Sequence, residues 1–188
     1  MAVSFLSVNT YETVVVPILS DFTPDSVNHL VDHSESVILF TDNDIWAKLD
    51  ISKMPLLRAV VSVNDFTLLY AAEESISKAF ASVPELFSAK YPMGFTGENV
   101  NYNTENWDEL DIINYTSGTT SAPKGVMLTY KAISATIDYG QRHIPSSDQY
   151  TMVSMLPMAH MYGLVYEFLY PLCNGTCITF LGKTPSPS

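Results

Sequence analysis

Only two of the 188 residues are cysteine, and they stand four apart at positions 173 and 177. That rules out a secreted disulfide framework, and with no histidine nearby the pair makes a poor zinc site. Two buried free thiols are the expectation. Long apolar runs are missing as well, so no segment reads as an integral membrane span. The opening residues, Met1-Ala2-Val3-Ser4-Phe5-Leu6, lack the basic start and small-residue cleavage site of a secretory signal. A cytoplasmic location is therefore the default, and the glycosylation spellings at Asn114 and Asn174 carry no weight. Basic side chains are scarce: nine Lys and Arg face twenty Asp and Glu, for a formal net charge of −11. A chain this acidic is no candidate for general nucleic-acid binding.

What is present is an ordinary globular composition, 47% hydrophobic and 12% aromatic, long enough for one domain with a real core or for two small ones. The acidity is uneven. Residues 1–110 hold sixteen acids against five bases, whereas residues 111–188 hold four of each. An anionic ligand would be tolerated in the second stretch and repelled by the first.

Residues 13–18, Thr-Val-Val-Val-Pro-Ile, are β-branched and apolar and read as a buried strand. Thr23 is an N-cap with Pro24 in the first turn, opening a helix that reaches about His33 with Val27, Leu30 and Val31 on one face. A strand over residues 36–40 follows, then a short helix capped by Asp42 or Asn43 and running to Leu49, then a strand over 58–63. Strand, helix, strand, helix, strand at this spacing predicts an α/β fold with a doubly wound, mainly parallel sheet and flanking helices. His29 and His33 lie one turn apart, but no third ligand accompanies them and no metal site is assigned.

Residues 64–110 read as an irregular, partly helical insertion. Phe66 to Tyr70 is either a strand or the lead into a helix. From Ser75 to Lys90, Ile76, Phe80, Val83 and Phe87 recur at helical intervals around Pro84, giving one kinked helix or two short ones. Residues 91–106 have loop composition.

The strongest signal is Tyr115-Thr116-Ser117-Gly118-Thr119-Thr120-Ser121-Ala122-Pro123-Lys124-Gly125. It follows the short apolar strand Ile112-Ile113 and precedes Val126-Met127-Leu128 and a helix that starts at Thr129 and ends near Tyr139 or Gly140. A loop of hydroxyls, glycine and one lysine offers many donors and little bulk, which suits a polyanion. Such loops are in general surface turns. This one is also no Walker-type P-loop, since Lys124 follows Pro123 and precedes Gly125. Its residue order is what separates it. Further on, Ser146-Ser147-Asp148 reads as a turn, residues 150–156 as a buried strand, and Met155-Leu156-Pro157-Met158-Ala159-His160-Met161-Tyr162-Gly163-Leu164 as a strand end running into a helix. Met158, Met161, Tyr162 and Phe168 would make an adaptable apolar wall there. A last strand spans residues 176–181, and 182–188 read as a loop.

The order Tyr-Thr-Ser-Gly-Thr-Thr-x-x-Pro-Lys-Gly-Val resembles the phosphate-binding signature of the adenylate-forming (AMP-binding) enzymes, which include acyl-CoA synthetases. It departs from the usual pattern at Ser121, where glycine is commonest, and beyond it at Tyr130, where histidine is usual. Leu-Pro-x-x-His-x-x-Gly at 156–163 resembles a second segment of the same family, and the strand–helix–strand run at 13–63 is also similar. The resemblance implies that residues 1–188 are part of the large N-terminal domain. Residues 13–63 would be a βαβαβ unit, 64–110 the insertion, and 111–188 the phosphate loop and acyl pocket. It further implies that Thr116, Ser117, Gly118, Thr119, Thr120 and Lys124 hold the phosphates of ATP, and that His160, Met161 and Gly163 form the acyl gate.

The segments that in the family bind adenine, ribose and magnesium (Mg2+), and the adenylation lysine, are not found in these residues, so no catalytic or metal-binding residue is assigned. The resemblance is strongest to long-chain fatty acid–CoA ligases, with ATP, a fatty acid and CoA as ligands and peripheral membrane association of the parent left open. The expectation is a fragment that is inactive alone and self-associates. Two other readings stay open: an enzyme activating amino acids or aryl acids, and a non-catalytic nucleotide-binding module.

Overall fold

The computed structural model describes residues 1–100, 105–116 and 123–181. The chain divides into two compact units, Met1–Asp21 with Glu105–Ser188, and Phe22–Thr104.

In the Phe22–Thr104 unit, helix α2 (Pro24–His33) begins as its cap chemistry dictates, with the Thr23 hydroxyl accepting from the Ser26 N–H at 3.3 Å. Such a cap contributes about 1 kcal/mol. Val27, Leu30 and Val31 are buried, as the helical spacing requires. Strand β1 (Ile38–Thr41) leads to Asp42, whose carboxylate accepts from the Ile45 N–H at 2.7 Å and caps α3 (Asn43–Trp46). That helix stops short of Leu49, because Asp50 caps a separate 3₁₀ turn, Ile51–Lys53, by accepting from the Ser52 N–H at 3.0 Å.

Strand β2 (Ala59–Ser62) is buried along its whole length and is the centre of a three-stranded sheet, parallel to β1 and antiparallel to β3 (Leu68–Ala71). Phe66, at φ 57°, makes the turn into β3. The stretch around Pro84 is two helices, α4 (Glu74–Ala81) and α5 (Val83–Lys90). Proline has no N–H for a carbonyl four residues back and crowds it, so the chain breaks at Ser82 and restarts with Pro84 in the first turn.

In the other unit, helix α1 (Ala2–Thr10), which sequence pattern did not reveal, sends Phe5 into the core with Ile112, Ile133, Leu164, Val165 and Phe168. Residues 13–18 do not form the expected buried strand. They make one parallel bridge, with the Val15 N–H donating to the Asp111 carbonyl at 2.8 Å and the Ile113 N–H to Val15 at 3.0 Å. Only Pro17 among these six is buried. The reason is that their partner is β4 (Leu110–Thr116), a strand almost a hundred residues away.

Strand β4 runs antiparallel to β5 (Lys124–Thr129). Thr129 then caps α6 (Tyr130–His143), accepting from the Ala132 N–H at 3.2 Å. Strand β6 (Thr151–Ser154) pairs in parallel with β7 (Cys177–Phe180), and between them lies one continuous helical stretch: α7 (Met161–Leu164), a π turn (Val165–Leu169) and α8 (Tyr170–Cys173). Pro171 accounts for the π turn. Its i−4 carbonyl belongs to Glu167, and widening the helix there relieves the clash.

Two further expectations are corrected. Cys173 and Cys177 are free but exposed, one at the end of α8 and the other at the start of a two-stranded sheet. Strand β6 is shorter than residues 150–156 and buries only Ser154, with Met152 half-buried. Among the described residues, no helix is long and apolar enough to cross a membrane.

Two measurements follow from this architecture. Met127, Val153, Met155, Leu156 and Phe180 are all exposed beside strand edges, a combination that favours edge-to-edge pairing. Sedimentation velocity is expected to show concentration-dependent association, and a monodisperse monomer would contradict this.

Buried Asp111, which accepts from the Asn9 amide at 2.6 Å, has its pKa pushed up by burial from 3.8 to about 6, the Asn9 bond opposing only in part. The folded chain therefore holds this proton at pH values where the unfolded chain has lost it. Stability falls as pH rises from about 4 through about 6, and the cost is fully present at neutral pH. Asp111→Asn is expected to raise the thermal midpoint at neutral pH by about 2–4 °C and to give no gain near pH 4. An unchanged or lower neutral-pH midpoint would count against the buried-charge account.

Candidate functional site

Four of the expected phosphate-binding residues, Ser117, Gly118, Thr119 and Thr120, lie outside the described residues. The two that flank them are placed. Thr116 ends β4, Lys124 begins β5, and the two are direct cross-strand partners. Both are exposed, and Lys124 makes no ion pair among the described residues. An ammonium and a hydroxyl are thus presented side by side at the mouth of a hairpin, the arrangement a phosphate oxygen needs.

Behind that mouth the side chains of β4 pack closely against β5. A Cβ on Gly125 would sit 2.9 Å from Ile113 Cγ2 and 3.3 Å from the ring of buried Tyr115, so glycine at 125 lets the Tyr115 ring lie across the hairpin. β4 is buried on both faces, yet it carries Asp111 and Asn114. A polar side chain there must find a partner. Asn114 donates from Nδ2 to the Ala159 carbonyl at 3.1 Å, a buried bond that ties the hairpin to the segment holding His160. Truncating it would leave a buried carbonyl unpaired, at a cost of about 1–3 kcal/mol.

His160 is the N-cap of α7 and is itself exposed. Its Nδ1 accepts from the Tyr162 N–H at 3.2 Å, so in the neutral ring Nε2 carries the proton and is the donor. The His160 N–H donates to the Pro157 carbonyl at 2.9 Å. Gly163 is buried directly beneath: a Cβ there would meet the Pro157 carbonyl oxygen at 2.6 Å. Leu156, Pro157, His160 and Tyr162, together with Leu19 and Asp21, line an open cleft of about 550 Å³, a volume within the range of small-molecule sites.

Of the expected apolar wall, Tyr162 lines this cleft, while Met158 and Met161 pack against the core. Phe168 is a core residue, edge-on to Phe5 at 6.3 Å between ring centroids. Asn114 and Asp21 were not identified from sequence. Asn114 had a signal, as a polar residue inside an apolar strand, whereas Asp21 comes from a loop with none.

The sequence matches the AMP-binding enzyme family over residues 1–188. It is 27% identical over 180 residues to long-chain-fatty-acid–CoA ligase 1 of Cavia porcellus, covering 90% of this chain and 25% of that protein. It is 31% identical over 167 residues to long-chain-fatty-acid–CoA ligase 3 of Saccharomyces cerevisiae, covering 78% of this chain and 24% of that one. The chain thus spans about a quarter of the length of these curated relatives. Among solved structures, the anthranilate CoA ligase AuaEII in complex with anthranoyl-AMP superposes with a TM-score of 0.74 at 15% identity, over 95% of this chain and 32% of that one. ATP-bound MatB from Rhodopseudomonas palustris superposes at 0.71 with 20% identity, over 98% and 33%. These two share the fold.

Gly163→Ala places a methyl group against a backbone oxygen that cannot rotate away. It is expected to destabilise the chain by about 1–3 kcal/mol in chemical denaturation. Gly97→Ala, where a Cβ meets nothing within 4 Å, is the control expected to change little.

Proposed function

The chain belongs to the AMP-binding enzyme family, and from that premise we propose that it supplies the triphosphate cradle and acyl gate of an acyl-CoA synthetase. The enzyme would activate a fatty acid as its acyl-adenylate and pass the acyl group to CoA. The observation that carries this reading is the Asn114–Ala159 bond. It joins the strand ending in Thr116 to the segment bearing His160, so phosphate-binding and acyl-gating groups share one scaffold. The names of the relatives support the fatty acid.

Adenylation brings two anions together. A carboxylate oxygen forms a bond to the α-phosphorus of ATP, the bond to the β-phosphate bridging oxygen breaks, and pyrophosphate leaves. The site must therefore neutralise phosphate charge and hold the carboxylate in line. Thr116 and Lys124 would take the β- and γ-phosphate oxygens, with Ser117, Gly118, Thr119 and Thr120 completing the loop. His160, with a proton on Nε2, would stand at the cleft entrance, Met161 would back it from the core, and Gly163 would let the Pro157 turn sit flush on the helix. Magnesium is expected to accompany ATP. Among the described residues no three acidic, histidine or cysteine groups converge as a ligand set. A cytoplasmic setting fits this role.

Residues for adenine, ribose and the adenylation lysine are not recognised in these 188. The chain by itself is therefore expected to bind ATP with an affinity of roughly micromolar order without turnover. Isothermal titration should register ATP on the wild type and at least a tenfold loss on Lys124→Ala, about 1.4 kcal/mol. Carboxylate-dependent ATP–pyrophosphate exchange by the 188 residues should be absent, and robust exchange would refute the claim of incompetence.

A further inference from the structure

Glu167 is the single Asp, Glu, Lys or Arg between Asp148 and Lys183, set in an otherwise apolar helix. Its role is not solvation. Oε2 accepts from the Met155 N–H and the Leu156 N–H, both at 2.7 Å, and from the hydroxyl of buried Ser154 at 3.3 Å. Two backbone donors in succession on one carboxylate oxygen make short, charge-assisted bonds of the stronger class. Glu167 lies within the π turn Val165–Leu169. A π turn adds a residue to the helical register and re-aims the side chains within it.

We propose that Glu167 is the positioning residue of the gate, fixing the start of the 155–160 segment and thereby the height of His160 over the cleft. Two hydrogen-bonded tethers act on that segment. Glu167 holds Met155 and Leu156 at its start and Asn114 holds Ala159 near its end, while Gly163 leaves room for Pro157 between them. Among the described residues Glu167 is the side chain that holds the near end, where β6 has already finished at Ser154. Leu156 and Pro157 line the cleft directly, so releasing their N-terminal anchor alters its mouth. Glu167 itself is not among the lining residues. The functional meaning rests on the acyl-gate reading above, but the mechanical claim does not.

The test has two arms, each run on the 188-residue chain as wild type, Glu167→Gln and Glu167→Ala. In the first, amide hydrogen exchange is read residue by residue. Glu167→Ala is expected to speed exchange about tenfold at Met155, Leu156 and His160 while β4 and α6 amides stay within about twofold of wild type. Glu167→Gln, which keeps one oxygen acceptor, should recover most of the protection and remains informative where the alanine variant does not fold. A uniform rise throughout the unit, or a rise at Met155 and Leu156 that leaves His160 unchanged, overturns the proposal.

In the second arm, palmitate and ATP are titrated separately. Glu167→Ala should weaken palmitate about tenfold and leave ATP within about twofold. Equal palmitate affinity in wild type and variant overturns the positioning role. If the wild type takes up no palmitate, the acyl reading falls, and the exchange pattern still decides what Glu167 does.

Discussion

Strand β4 is the constraint on which the Met1–Asp21 and Glu105–Ser188 unit depends. Ile112 lies at its centre with no exposed surface, in the same cluster as Phe5, Ile133 and Phe168. A buried strand must pair every backbone group. β4 pairs with β5 on one side and, through the single Val15 bridge, with residues 13–18 on the other. Its polar side chains are bound by the same rule. Asp111 takes Asn9 from α1, and Asn114 takes Ala159 from the gate segment. One strand thus draws together the beginning of the chain, the β4–β5 hairpin and the segment bearing His160.

The burial that makes this arrangement rigid also carries a cost. A carboxyl with pKa near 6 is a poor choice for stability at neutral pH. It persists where it anchors α1, and α1 delivers Phe5 to the core. Around the cleft, rigidity comes instead from small geometry. Gly163 lets Pro157 approach, Gly125 lets Tyr115 lie flat, and the Pro171-driven π turn aims Glu167. None of these contacts is large; those of Gly163 and Glu167 bear on the 155–160 segment, and that of Gly125 on the β4–β5 hairpin.

What was legible in the sequence was chiefly local. Thr23, Asp42 and Thr129 each cap a helix by accepting from an N–H three residues on, so the signal and its cause lie within one turn. The buried β2 run and the break at Pro84 are of the same kind. The family motifs were legible through their residue order, while the cross-strand pairing of Thr116 with Lys124 was not. What sequence pattern missed was non-local. Residues 13–18 seek a partner near position 112, and no periodicity reports that. Phe168 follows helical spacing as well as any pocket residue, but its direction is set by a π turn that only the clash at Pro171 explains. The thiols of Cys173 and Cys177 were misplaced because composition says nothing of which side of a turn faces water.

The central claim is that the Thr116–Lys124 hairpin end binds the triphosphate and is mechanically joined to the gate. The most direct test is titration of ATP into the ¹⁵N-labelled chain, followed by amide chemical shifts. The account predicts the largest changes at Thr116, Lys124 and Gly125, with smaller concurrent changes at Asn114, Ala159 and His160. Silence at Thr116 and Lys124, or changes confined to residues 22–104, would contradict it.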